Sequence, residues 1–154
     1  MKQKKQVTAW YIAVTHYLTT GIINLVITFA ANWLLVFLFS PVLGDIEGKN
    51  KLLFIVMGNI VWFFGIWIGV LYSSRFIAKT YIVTIREKII FLSTIYLIVI
   101  GVALRIFVFL SNSKEALIVY IIDYISFVIV IFLFYFFSKK YIKNSENAFD
   151  KIVQ

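Results

Sequence analysis

Residues 52–74 read LLFIVMGNIVWFFGIWIGVLYSS, which is 23 consecutive residues without a formal charge. An α-helix rises about 1.5 Å per residue, so roughly 20 apolar residues cross a hydrocarbon core about 30 Å thick. Three further stretches pass the same length test: residues 7–39 hold no charge, residues 89–113 hold only Arg105, and residues 116–138 hold only Asp123. The sequence therefore predicts a protein with four membrane spans.

The composition agrees with a lipid environment. Of the 154 residues, 62% are hydrophobic and 14% are charged, and the mean hydropathy is +0.97. A soluble domain is nearer half apolar and a quarter charged, which argues against a soluble enzyme or a soluble nucleic-acid binder. The chain has no Cys and one His, so disulfides, thiolate catalysis and a multi-His metal site within one subunit are excluded. We expect neither catalysis nor a cofactor, because no nucleophile–base pair, carboxylate pair or phosphate-binding glycine loop is present.

We expect an all-α integral membrane protein that forms one domain over residues 1–154, because helices satisfy their own backbone hydrogen bonds in lipid. The spans are predicted at about residues 18–39, 52–74, 89–111 and 116–138. Residues 5–17 are expected to lead into the first span at the membrane interface. The inner loop, about residues 75–88, mixes apolar residues with four cations and fits a segment lying on an anionic leaflet.

The distribution of Lys and Arg predicts the orientation. If both termini are cytoplasmic, 11 of the 15 Lys and Arg residues lie inside, 3 lie outside and Arg105 lies within the membrane. Cytoplasmic loops carry the excess of Lys and Arg, so we expect both termini on the inner side of the cytoplasmic membrane. The short outer loops are then residues 40–51 and 111–115. This bias also accounts for the net charge of +8 without a nucleic-acid partner.

The two halves of the chain resemble each other. Residues 17–20 (YLTT) match residues 91–94 (FLST), and residues 71–77 at the end of the second span match residues 136–142 at the end of the fourth. These matches predict two helical hairpins in a parallel repeat about an axis along the membrane normal. Chance similarity between apolar helices is the alternative.

The first span carries a polar ridge at a spacing of four residues, formed by His16, Thr20, Asn24, Thr28 and Asn32. Four residues advance a helix by about 400°, so these side chains follow one slowly slanting line. In lipid such a ridge should face protein or a wet cavity. Hydrogen bonding between helices explains it, and so does a hydrophilic path for a sugar or a lipid headgroup.

Arg105 and Asp123 are the formal charges within the spans. Both are expected about 9–12 Å below the outer surface, at matching depth on two antiparallel helices. A charge at the centre of a membrane costs about 2.5–3.5 kcal/mol on insertion scales, so we expect a mutual ion pair. In the functional alternative, Arg105 holds a ligand phosphate that Asp123 orients.

Several motifs resemble one family. The first span reads Y-L-x-x-G-x-x-N over residues 17–24, the second span carries Gly58-Asn59 near its outer end, and the second and fourth spans close on polar, basic and aromatic residues at 74–77 and 137–142. In this pattern the chain resembles the GtrA-like family of small four-span membrane proteins over about residues 17–143. Thr28 stands where that family often has Asp.

The resemblance implies a role in cell-envelope glycan synthesis, as a protein that translocates a polyprenyl-phosphate-linked sugar. A non-transporting partner that anchors a membrane glycosyltransferase is the alternative. The candidate substrate-binding residues are Asn24, Asn59, Arg75, Lys139, Lys140, Arg105 and Asp123. In this hypothesis the basic residues at the ends of spans two and four capture the lipid phosphate, unless they serve only as positive-inside anchors. The two asparagines then meet the sugar hydroxyls.

A small multidrug exporter is a further alternative. That chemistry requires a membrane-embedded carboxylate, typically early in the first span, and the first span has no acid. Four spans leave little room for a hydrophilic headgroup. We therefore expect a homo-oligomer or a complex with a transferase if the protein transports a lipid-linked sugar.

Overall fold

The structure is a computed structural model that describes residues 4–43, 51–111 and 117–145. It contains four helices: α1 (Ala9–Leu43), α2 (Lys51–Thr80), α3 (Arg86–Ser111) and α4 (Leu117–Tyr141). Each is long and apolar enough to cross a membrane. Within the described ranges the remaining regular structure is one isolated bridge, between Lys5 and Tyr81. For the described residues this confirms the prediction of an all-helical chain with four helices that are long and apolar enough to span a membrane.

The helices extend beyond the predicted spans. α1 begins at Ala9 and runs for 35 residues without a break, so most of the expected interfacial lead-in is helix. At about 1.5 Å per residue α1 is about 52 Å long, which exceeds the hydrocarbon core and requires tilt or protrusion. α2 continues to Thr80, which reduces the inner connection to residues 81–85. The predicted outer loops lie largely outside the described residues.

The four helices form a ring in the order α1, α2, α4, α3, because α1 packs on α2 and α3 while α4 packs on the same two helices. The first two helices are antiparallel: Thr20 lies beside Gly69, and Asn32, twelve residues later, lies beside Gly58. The helices that the predicted repeat would match, α1 with α3 and α2 with α4, are neighbours in this ring. The repeat itself stays a prediction.

α1 approaches α2 closely because α2 presents glycines to it. A Cβ atom on Gly69 would lie 2.8 Å from the backbone oxygen of Thr20, and one on Gly65 would overlap the side chain of Asn24. Small residues at a helix interface permit such an approach in membranes. The glycine face of α2 thus sets the position of the polar ridge of α1.

Both ends of the described chain meet at one end of the bundle, which we call the near end. The backbone N–H of Lys5 donates to the Thr80 oxygen over 2.9 Å, and the N–H of Ser145 donates to the Val83 oxygen over 2.8 Å. The opposite end, where α2 and α4 begin, is the far end. The short connection between α2 and α3 is therefore held by both terminal segments.

The inner segment does not lie flat on a membrane surface. Ile77, Tyr81 and Val83 are buried in an apolar cluster with Ile12 and Ile142. These three side chains therefore face the bundle, whereas Phe76 and Ile85 of the same segment are exposed. Contact of residues 75–88 with an anionic leaflet stays a prediction.

Candidate binding site within the bundle

A cavity of about 620 Å³ lies between the four helices, and we call it the central cavity. Sites for small molecules commonly measure about 300–1,000 Å³. Its polar wall comes from α1 and consists of Thr20, Asn24, Thr28 and Asn32. The other three helices contribute a mostly apolar wall, which includes Trp62, Ile66, Leu97, Leu104, Phe127, Val130 and Phe134.

Four of the five residues of the polar ridge face this cavity, and the fifth, His16, is buried beside it. The Thr28 hydroxyl donates to Oδ1 of Asn24 over 3.2 Å. The amide nitrogen of Asn24 and the amide group of Asn32 have no hydrogen-bond partner within the described part of the chain. Two amides are therefore available to hydrogen-bond a polar ligand.

The central cavity has a lateral opening. Leu25 and Phe29 of α1 and Leu104 of α3 line it, and each is also more than half exposed on the outer surface of the bundle. The opening thus lies between α1 and α3, within the apolar belt of the four spans. A lipid-linked molecule fits this geometry, because its headgroup can occupy the cavity while its chain stays in the bilayer.

Arg105 carries the single formal charge among the residues that line the central cavity. Its Nη2 donates to Oδ1 of Asp123 over 3.0 Å, and its Nε lies 2.9 Å from Oδ2. The predicted ion pair is confirmed. Nη1 donates to the backbone oxygen of Gly101 over 3.3 Å. The Cζ atom lies 3.9 Å from the ring centre of Phe127 and 5.5 Å from that of Trp62, within the range of cation–π attraction.

Asp123 lines a second cavity of about 370 Å³ near the far end, which we call the outer cavity. Asn59 lines it too, and its amide nitrogen donates to the Ile55 oxygen over 3.0 Å. The structure therefore places Asn59 in a different cavity from Asn24. The two asparagines expected to meet one sugar are not brought together.

The three basic residues at the ends of the second and fourth spans line neither cavity. Arg75, Lys139 and Lys140 are exposed on α2 and α4 toward the near end. The Arg75 Cζ lies 5.9 Å from the Tyr72 ring centre. The Lys139 carbonyl accepts a hydrogen bond from Arg86 over 3.1 Å. Their role in capturing a phosphate stays a prediction.

A buried polar cluster closes the near side of the central cavity. Nδ1 of His16 lies 2.7 Å from the Ser73 hydroxyl, and its Nε2 lies 2.9 Å from the Ser138 hydroxyl. Thr20 is 2.8 Å from the same Ser73 oxygen. The cluster joins α1, α2 and α4, and His16 is fully buried within it. Both ring nitrogens of His16 are therefore within hydrogen-bond distance of a serine hydroxyl.

The sequence contained signals for part of the arrangement around His16 and the central cavity. The predicted repeat aligns Ser73 with Ser138, and both of these serines bind His16. Asn32 belongs to the polar ridge, yet it was not among the candidate binding residues. No sequence signal identifies Trp62 and Phe127 as the rings around Arg105, because that contact depends on how α2 and α4 pack.

The polar side chains that line the central cavity are of the kinds that bind a ligand through hydrogen bonds and charge. The described residues contain no group of three or more His, Cys, Asp or Glu side chains suited to a metal ion. The polar groups of the central cavity are amides, hydroxyls and one guanidinium, which recognise hydroxyl-bearing and anionic molecules. Comparison with protein-family models, with curated proteins and with solved structures gives no match for this chain.

Proposed function

We propose that this protein binds a polyprenyl-phosphate-linked sugar and moves it across the cytoplasmic membrane, alone or as a subunit of a larger assembly. The observation that supports this proposal most directly is the central cavity. It opens laterally at the depth of the lipid, and the amides of Asn24 and Asn32 line it together with Arg105. A headgroup with hydroxyls and a phosphate matches these groups. The resemblance to the GtrA-like family supports the same substrate class.

The charge of the cavity favours an anion. Arg105 lines it, and none of the described acidic residues does. A multidrug exporter of cations would need a carboxylate facing its substrate. Asp123 faces the outer cavity instead and is paired with Arg105.

The orientation and the assembly belong to the same proposal. The near end lies in the cytoplasm, where the positive-inside rule puts its cations. Arg75, Lys139 and Lys140 there attract the phosphate of the lipid before it reaches the opening. A second copy of the chain or a membrane glycosyltransferase completes the shelter for the headgroup.

The test measures lipid movement in vesicles that contain the purified full-length protein. The probe is a fluorescent short-chain polyprenyl-phosphate hexose, and dithionite added outside destroys the fluorophores exposed in the outer leaflet. We expect the protein to expose the inner-leaflet probe. Asn24→Leu and Asn32→Leu should slow this movement at least fivefold, because each replaces a polar amide of the cavity wall with an apolar side chain of the same branched shape.

Thr19→Val is the matched control, since Thr19 lies on α1 but does not line the central cavity. It should transport the probe at the wild-type rate. Transport that is absent, or equal in both asparagine variants and the control, would contradict the proposal. A glycosyltransferase that co-purifies with a transport-inactive protein would establish the role of a non-transporting partner instead.

A further inference from the structure

The two cavities meet at the Arg105–Asp123 ion pair, and Asn32 of the central cavity also lies beside Gly58 of the outer cavity. Arg105 lines the central cavity, Asp123 lines the outer cavity, and none of the residues that the structure describes lines both. The contacts of 2.9 and 3.0 Å between the two side chains therefore span the boundary. On the near side, in contrast, the central cavity is closed by the His16 cluster and by several buried apolar residues.

The two partners are held unequally. The Arg105 side chain is 14% exposed and keeps contacts with Gly101, Phe127 and Trp62 that do not involve Asp123. The Asp123 side chain is 46% exposed, and the ion pair is its one polar contact among the described residues. When the pair breaks, Arg105 stays in place and Asp123 is free to turn into the outer cavity.

Arg105 also has unused capacity to bind an anion. A guanidinium has five N–H donors. Nη1 donates one hydrogen bond to Gly101 and Nη2 donates one to Asp123, whereas Nε lies near Oδ2 of Asp123 without forming a hydrogen bond. Three donors therefore lack a hydrogen bond in the part of the chain that the structure describes. Arginine binds phosphate in the same two-pronged way as carboxylate. A phosphate in the central cavity therefore competes with Asp123 for the same cation.

We propose that the Arg105–Asp123 pair is a gate between the central and outer cavities, and that a phosphate-bearing ligand opens it by taking Arg105 from Asp123. This inference rests on the proposed function in one respect, namely that the phosphate belongs to the lipid-linked substrate. The gate couples occupancy of the central cavity to a path toward the far end. Without an anion the pair keeps the two cavities apart.

The test uses the absence of native cysteines. Thr28→Cys places a thiol in the central cavity, and Val119→Cys places one in the outer cavity. Each full-length variant is reconstituted in phosphatidylcholine vesicles and labelled from outside with a membrane-impermeant maleimide. The final extent of Val119→Cys labelling, in vesicles prepared in the same way, gives the fraction of molecules with the far end outward.

We expect Val119→Cys to react at one rate under all conditions. Thr28→Cys should react slowly alone and at least tenfold faster with dodecyl phosphate, whereas the neutral detergent dodecyl maltoside should leave it slow. Inorganic phosphate at the same concentration separates a lipid headgroup from free phosphate as the opening anion. When Asp123→Asn is added, the Thr28→Cys thiol should react fast without any anion. If that double variant does not fold, the titration of Thr28→Cys with dodecyl phosphate still tests the gate.

The gate is refuted if Thr28→Cys already reacts as fast as Val119→Cys, or if dodecyl phosphate leaves its rate unchanged. The proposed function fails separately. If the labelling depends on the anion but the protein does not move the sugar-linked probe, the gate is supported and the proposed substrate is contradicted. If the protein transports the probe without any change in labelling, the proposed substrate is supported and the gate is contradicted.

Discussion

Arg105 and Asp123 differ in how each responds to the loss of its partner. The Arg105 side chain is 14% exposed, whereas that of Asp123 is 46% exposed. Removing Asp123 therefore leaves a more deeply buried unpaired charge than removing Arg105 does.

The first prediction follows from this asymmetry. Asp123→Leu should lower the free energy of unfolding by about 2 kcal/mol, less than the 3–5 kcal/mol of a fully buried pair because Asp123 is partly exposed. Arg105→Leu should cost about 1 kcal/mol, and the double variant should be more stable than Asp123→Leu. Equilibrium unfolding in mixed micelles measures all three.

Glu87→Leu provides the control, because it removes the exposed ion pair with Arg86 outside the bundle core. A change of no more than about 0.5 kcal/mol is expected there. If the double variant is no more stable than the worse single variant, the two charges are not coupled and the ion pair does not stabilise the fold.

At the scale of the helices, the fit of α1 on α2 decides where the polar ridge lies. Gly69 and Gly65 let the backbone of α1 approach, and Thr20 reaches Ser73 over this short distance. Larger side chains would move α1 away from α2. The cluster around His16 and the wall of the central cavity would then separate together.

Gly69→Ala tests this packing. The new Cβ would lie 2.8 Å from a backbone oxygen of α1, which has no flexible end to move aside, so we expect a loss of about 1–3 kcal/mol in unfolding free energy. Gly21→Ala is the matched control, because a Cβ there has no heavy atom within 4 Å. It should leave stability unchanged or raise it by up to about 1 kcal/mol. Equal effects of the two substitutions would mean that α1 does not pack against Gly69.

At the scale of the whole molecule, the described residues close the central cavity differently on its near and far sides. Both terminal segments, the 81–85 connection and a buried apolar cluster close the near end. Toward the far end, the described boundary between the two cavities includes the Arg105–Asp123 pair and the contact of Asn32 with Gly58. In the proposed orientation, with the near end in the cytoplasm, a ligand that leaves through the gate reaches the outer side of the membrane.

The orientation is testable with single cysteines in intact cells. Lys143→Cys lies at the near end and Ser111→Cys at the far end, and both positions are exposed. We expect an impermeant thiol reagent to label Ser111→Cys in intact cells and Lys143→Cys only after the membrane is opened. The reverse pattern would place the near end outside and overturn the direction of the proposed transport.

The sequence by itself determined the membrane environment and the four helices, because uncharged stretches of this length in lipid must satisfy their own backbone hydrogen bonds. It also predicted the Arg105–Asp123 pair, since a charge in lipid needs a partner and these two lie at equal depth. It predicted that the polar ridge lies along one side of the first helix, since that follows from the local spacing of four residues. These inferences depend on the spacing of residues along a helix, on their depth in the membrane and on the positions of charges along the sequence.

Only the tertiary structure decided which groups share a cavity. Asn24 and Asn59 look alike in the sequence, yet the packing of four helices assigns them to different cavities. The lateral opening, the rings around Arg105 and the placing of His16 between two serines arise from the ring order of the helices and their closest approach. Those quantities depend on side chains far apart in the chain, and no local pattern encodes them.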